Sequence, residues 1–279
     1  MWNLQLRAAG CAILLLFLLP PRLSVAAEAQ DAFNEGVKFY KSAKYKDAVA
    51  AFSRALKAAP KSDVAYNNRG LARFKLGQYD DAIKDYDEAI KLNERFIDAY
   101  FNRGNAHFAR KDFDPAARDF SAVIKLDPKT PKAYRQRALA RNALEQFEAA
   151  VQDFNEAQKL DPKDTEVYYG RGLAHRRLGK NDLAVQDYTE ALKLTPKNAE
   201  SYNNRANAYS LLGKFDDAVK DYDEAIKLDP KNARIYANRG VIHSRQGKNE
   251  DARKDFRKAI ELDPSLKDKI EPFMAPAGK

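Results

Sequence analysis

The chain has almost no cysteine: Cys11 is the single one in 279 residues. It lies in an N-terminal apolar run, so the rest of the chain offers no thiol for a disulfide, a metal or a nucleophilic attack. Histidine is nearly as scarce. His107, His175 and His243 stand 68 residues apart, too far to share a metal ion, and are expected to pack between helices. There is no glycine-rich phosphate loop and no serine in a hydrolase motif. The carboxylates recur at regular surface positions and do not gather in one place. Together these absences argue against an enzyme and against any cofactor or metal. Asn-x-Ser/Thr sequons and a KDEL-like ending are also missing, which suits a bacterial envelope better than an endoplasmic reticulum. The longest apolar run, Ala8–Leu19, has twelve residues, too few to span a bilayer comfortably.

What surrounds that run reads as an export signal. Arg7 precedes it, Pro20 and Pro21 follow, and then comes Ser24-Val25-Ala26-Ala27. Residues 1–27 are therefore expected to be a cleaved secretory signal peptide, with the mature N-terminus within Ala27–Asp31 and a retained anchor as the alternative. The mature protein would be periplasmic or secreted. The net charge of +9 loses Arg7 and Arg22 on cleavage and becomes +7. A sequence pI near 9.3 raises nucleic acid as a partner. The distribution speaks against it: Asp80–Lys91, DDAIKDYDEAIK, mixes both signs on a solvated helix face. At most a weak association with anionic membrane surfaces remains. Hydrophobic residues make up 44% of the chain, ample for a folded core.

The chain repeats itself every 34 residues. Alanine returns at Ala48, Ala82, Ala116, Ala150, Ala184, Ala218 and Ala252. Four residues later comes an aromatic each time: Phe52, Tyr86, Phe120, Phe154, Tyr188, Tyr222 and Phe256. A small residue keeps step at Gly36, Gly70, Gly104, Ala138, Gly172, Ala206 and Gly240. Proline does so at Pro60, Pro128, Pro162, Pro196, Pro230 and Pro264, with Glu94 in the skipped place. Within 199–232, Tyr202, Ala206, Tyr209 and Leu212 mark one helical face and Phe215, Ala218, Val219, Tyr222, Ala225 and Ile226 another. Gly213 separates the two helices, and Asn198 and Asn232 are candidate caps for successive first helices. Such a hairpin cannot bury both faces alone, so the repeats must stack.

Small residues at repeat positions 8, 20 and 27, an aromatic at 24 and proline at 32 resemble the tetratricopeptide repeat (TPR). Seven repeats match: 29–62, 63–96, 97–130, 131–164, 165–198, 199–232 and 233–266. The resemblance implies an all-α, right-handed superhelical solenoid of antiparallel helix pairs. It also implies that first helices line a concave groove and second helices the convex side.

Position 7 is arginine in repeats two to seven (Arg69, Arg103, Arg137, Arg171, Arg205, Arg239), and position 23 is aspartate in the same six (Asp85, Asp119, Asp153, Asp187, Asp221, Asp255). Repeat one lacks both, with Glu35 and Ala51. A guanidinium on an apolar flank needs a partner, so each pair is expected to join the two helices of its own repeat.

The groove carries carboxamides. Position 6 reads Asn34, Asn68, Asn102, Gln136, Gly170, Asn204 and Asn238; Asn67 and Asn203 hold position 5, and Asn105 and Asn207 position 9. A carboxamide can donate and accept, so a row of them can grip an extended peptide by its backbone. This is similar to the asparagine ladder of O-linked N-acetylglucosamine transferases. Two stations are expected, separated by a basic gap where Arg135 and Arg176 meet an acidic side chain. Position 5 never carries lysine, which speaks against the carboxylate clamp of chaperone-tail repeat domains. After the last repeat only 267–279 remains as a short cap and loose tail. Ser265 is the candidate cap residue, Leu266 and Ile270 pack, and Pro272 ends the helix. An apolar face left open there is a candidate self-association surface. The expected function is a non-catalytic protein–protein interaction scaffold of the cell envelope that holds a peptide segment of a partner. The alternatives are an assembly factor acting through the convex face or the array ends, and a specificity subunit of a catalytic partner.

Overall fold

The computed structural model describes residues 21–274. The apolar run and most of the expected export signal lie outside the described residues, as does the tail from 275. Among the described residues every regular element is helical, in consecutive pairs. Two compact units divide the chain, Met1–Glu94 and Arg95–Lys279. The first contains α1 (Pro21–Lys41), α2 (Tyr45–Ala58), α3 (Asp63–Lys75) and α4 (Tyr79–Leu92). The second contains α5 (Ile97–Ala109), α6 (Phe113–Leu126), α7 (Pro131–Ala143), α8 (Phe147–Leu160), α9 (Thr165–Arg177), α10 (Asn181–Leu194), α11 (Ala199–Leu211), α12 (Phe215–Leu228), α13 (Ala233–Arg245), α14 (Asn249–Leu262) and α15 (Lys267–Met274). Helix α1 runs unbroken through Ala26-Ala27 into repeat one.

Sequence sets the hairpin. The first helix of a pair ends in a turn whose middle residue has positive φ, such as Gly213 at +73°. The amide of Lys214 then bonds the carbonyl of Tyr209 at 2.9 Å, closing the helix end with a left-handed cap. The second helix starts without a side-chain cap but with carboxylates in its first turn, Asp216 and Asp217 in α12, where the helix dipole favours them. At the next junction Asn198 caps α11 as expected, accepting from the Ser201 amide at 2.8 Å. Asn232 does not cap α13; its amide turns back to Asp229 at 3.1 Å.

Inside each unit the aromatic at position 24 is the centre of the packing. Phe52 and Tyr86 in the first unit, and Phe120, Phe154, Tyr188, Tyr222 and Phe256 in the second, are all buried. Taking each ring's apolar surface out of water contributes on the order of 1.5–3 kcal/mol. The small residue at position 8 exists for that ring: a methyl group on Gly70 would lie 2.6 Å from Tyr86.

The arginine–aspartate pairs form within repeats as the sequence implies. Arg205 binds both oxygens of Asp221 at 2.7 and 2.8 Å, and the same fork recurs at Arg69–Asp85, Arg103–Asp119, Arg137–Asp153, Arg171–Asp187 and Arg239–Asp255. The guanidinium also lies over the ring of the tyrosine three residues earlier, 5.6 Å from Tyr202 in the case of Arg205. Its remaining nitrogen reaches position 25 of the preceding repeat. Arg137 bonds Ser121 at 3.0 Å, Arg171 bonds Asn155 at 2.6 Å and Arg205 bonds Thr189 at 3.0 Å. The Ser121 and Thr189 hydroxyls donate to their own helix carbonyls at 2.7 Å, which leaves their lone pairs for the arginine.

The histidines are not simply core packing. His175 is buried, but its Nδ1 stands 2.9 Å from Asp187, where Arg73 and Arg141 of other repeats place a second guanidinium on Asp85 and Asp153. His107 and His243 approach Asp112 and Asp255 only to 3.8 Å.

The C-terminal end departs from expectation in two details. Asp263, not Ser265, caps the 3-10 turn Pro264–Leu266, accepting from the Ser265 amide and hydroxyl at 3.0 and 2.7 Å. Helix α15 continues through Pro272 to Met274. One proline removes a single backbone bond, and α15 is anchored on both sides of it, by buried Ile270 and by the Phe273 ring, 6.2 Å from Phe256. Leu266 packs as expected.

Candidate functional site

In the second unit, two junctions between neighbouring repeats bring first-helix carboxamides together. Gln136 Nε2 donates to Asn105 Oδ1 at 3.0 Å, joining α7 to α5. Asn238 Nδ2 donates to Asn203 Oδ1 at 3.2 Å and to Asn207 Oδ1 at 3.4 Å, joining α13 to α11. The Tyr222 hydroxyl donates to the same Asn207 oxygen at 2.7 Å. At both junctions position 6 of one repeat lies on position 5 or 9 of the repeat before it. An amide has four bonding directions, and these contacts fix its plane while leaving further donors and acceptors for a ligand.

Asn204 is buried, at 9% exposure, and donates to the Tyr169 hydroxyl at 2.9 Å, which donates to Glu200 at 2.6 Å. Burial comes first in raising the Tyr169 pKa, with Glu200 second, so the phenol stays a donor. Asn102 is half-buried. In the first unit, Asn67 is buried at 5% exposure, Asn68 turns its amide onto the Val64 carbonyl at 2.8 Å, and exposed Asn34 accepts from Gln30 at 2.9 Å. Asn67 and Asn204 are thus parts of the packing more than open groove residues.

The expected basic gap is absent at Arg135. Its guanidinium is held by Asp164 at 2.5 Å and approaches Glu166 at 3.4 Å. Arg176 is half-buried, with an Nε that lacks a hydrogen-bond partner. It lies close enough to Tyr188 to oppose the burial that pushes that phenol up to about 12. Gly170 interrupts the amide row for a packing reason. A methyl group there would stand 2.5 Å from Phe154, and its carbonyl accepts from Asn142 at 3.0 Å. Sequence reasoning missed Asn142 and Tyr169. Tyr169 stands at position 5, where Asn67 and Asn203 drew attention, but an aromatic there gave no polar signal.

Family profiles described as "Tetratricopeptide repeat" match residues 51–84, 104–167, 199–232 and 233–266, and one described as "TPR repeat" matches 70–109 and 174–213. The matches at 199–232 and 233–266 coincide with two repeats read from the sequence. No curated protein matches the chain. Among solved structures, a tetratricopeptide repeat protein from Parabacteroides merdae aligns with a TM-score of 0.67 at 20% identity, over 89% of this chain and 98% of its own. The C-terminal part of a TPR repeat-containing protein from Cytophaga hutchinsonii aligns with a TM-score of 0.71 at 20% identity, over 88% and 100%. YrrB, described as a TPR protein with an unusual peptide-binding site, aligns at 0.57 and 21% identity over 64% of this chain and 93% of its own. At these identities the likeness is one of fold.

Proposed function

The chain belongs to the tetratricopeptide repeat family, and on that premise we propose that it is an exported, non-catalytic scaffold that holds an extended partner segment along its first-helix amides. The family builds protein interaction surfaces, which makes a protein or peptide the partner class. The observation that carries the groove reading is the bonding of Asn238 to Asn203 and Asn207, and of Gln136 to Asn105. Carboxamides held in plane at repeat spacing present a fixed series of donors and acceptors, the pattern an extended backbone requires. YrrB lends support as a relative in fold whose description includes a peptide-binding site.

The test is affinity for a partner captured from the envelope fraction, beside a thermal melt. Asn68→Ala, Asn102→Ala and Asn238→Ala together should cost about 1.5–4.5 kcal/mol of binding, at about 0.5–1.5 kcal/mol for each amide contact. That is a loss of at least about tenfold. Asn204→Ala belongs in a separate arm, because its bond to Tyr169 makes it a stability change as well. If the triple variant binds normally while Lys84→Glu with Lys220→Glu on the second helices abolishes binding, the assembly reading replaces this one. Export has its own check: protein extracted from the envelope should begin within Ala27–Asp31 by mass spectrometry, and an intact Met1 would favour a retained anchor.

A further inference from the structure

In repeats one, three and five the position 5 side chain is an aromatic packed at a steep tilt against the position 24 ring of its own repeat. Phe33 lies 5.5 Å from Phe52, Phe101 5.6 Å from Phe120 and Tyr169 6.0 Å from Tyr188. Repeat seven has Ala237 there, and a cavity of about 350 Å³ opens where the ring would sit. Its apolar lining includes Val241, Phe256, Ile270 and Phe273. Phe256 is itself fully buried, whereas Phe273 of α15, 6.2 Å from it, remains 51% exposed. The Asn203 and Asn238 amides, bonded to each other, also line the cavity. Two exposed cations, Arg234 and Lys269, flank it. Neither makes an ion pair among the described residues. Asp263, a carboxylate within reach of their field, is held below its ordinary range first by the Ser265 hydroxyl and amide and only then by Arg234 and Lys269, and Glu200 and Asp229 share a neighbouring hollow with Arg234.

An apolar hollow of side-chain size beside two exposed cations that make no close ion pair among the described residues is complementary to an apolar group followed by negative charge. We propose that this cavity is the anchor subsite of the groove, taking a peptide segment in which a large apolar side chain is followed within a few residues by carboxylates. The inference rests on the groove reading, and it adds selectivity that a row of amides alone does not provide.

The test is fluorescence anisotropy of the purified chain with three labelled Gly/Ser dodecapeptides. One carries Phe followed two residues later by Glu-Glu, one has that Phe replaced by Ser, and one has Lys-Lys in place of Glu-Glu. The first should bind at least tenfold tighter than the other two. Arg234→Glu with Lys269→Glu should reverse the preference towards Lys-Lys. Ala237→Phe should fill the cavity from within and remove the preference for Phe, with helix content and melting temperature unchanged. No saturable binding, equal binding of the three probes, or an Ala237→Phe variant that still prefers Phe overturns the proposal. So does a dimer that Ala237→Phe dissociates and the first probe does not displace, since a second copy would then be the occupant. Equal binding that Asn68→Ala with Asn102→Ala weakens would sink the anchor and keep the groove. A probe preference indifferent to those two changes would do the reverse.

Discussion

Arg205 has partners in two directions, Asp221 in its own repeat and Thr189 in the one before. Burial alone would lower its pKa, but the Asp221 bonds and charge outweigh that and raise it. Asp221→Ala leaves this half-buried guanidinium without its counterion and should destabilise the fold by about 1–3 kcal/mol. Arg205→Leu combined with Asp221→Ala should recover much of the loss, because the uncompensated charge goes too. Urea melts of the two single variants and the double form the cycle, and strictly additive losses would contradict the coupling. The pair was legible because arginine and aspartate enter and leave the sequence together. The bond to position 25 was not, since Ser121, Asn155 and Thr189 share an acceptor but no residue type. Arg135 on Asp164 was illegible for a different reason: it has no counterpart in other repeats, so no periodicity announces it.

The helices themselves follow from local rules, and so do their turns. Position 15 takes a left-handed conformation in every repeat, glycine or not. Gly77, Gly179, Gly213 and Gly247 adopt it freely, whereas Ala43, Lys111 and Glu145 are held there at φ of 56°, 68° and 59°. Lys111 is exposed, so Lys111→Gly should raise stability by about 0.5–1 kcal/mol by relieving the Cβ contact that disfavours this region. A melt that falls would show that the turn is better restrained by its side chain. At the level of elements the sequence also misled in places. Asn232 has a capping residue's chemistry, yet Asp229 claims its amide. Pro272 has a breaker's chemistry, yet Ile270 and Phe273 hold α15 together around it. The amide row was readable as a row, but not as a bonded one. Each bond joins positions 6 and 9, or 6 and 5, of adjacent repeats, an offset that only the stacking of the helices defines.

Within the second unit the constant interval of 34 residues lets repeats meet through matching contacts. Deleting 199–232 should therefore leave a chain that melts cooperatively, because Arg239 would meet Thr189, an acceptor already used by Arg205. Circular dichroism showing lost cooperativity would contradict this. Position 25 also punctuates the series. It reads Ser53, Asp87, Ser121, Asn155, Thr189 and Asp223, each able to accept, and then Arg257, which can only donate. Repeat one, in turn, has Glu35 where its successors present the arginine. The polymer of repeats thus has a direction and a stop sign: copies can be gained or lost in its middle, but a copy of 199–232 joined after Leu266 would set guanidinium against guanidinium. The fate of such an appended repeat is measurable. The appended copy should be digested ahead of the rest in limited proteolysis, and Arg257→Ser should protect it.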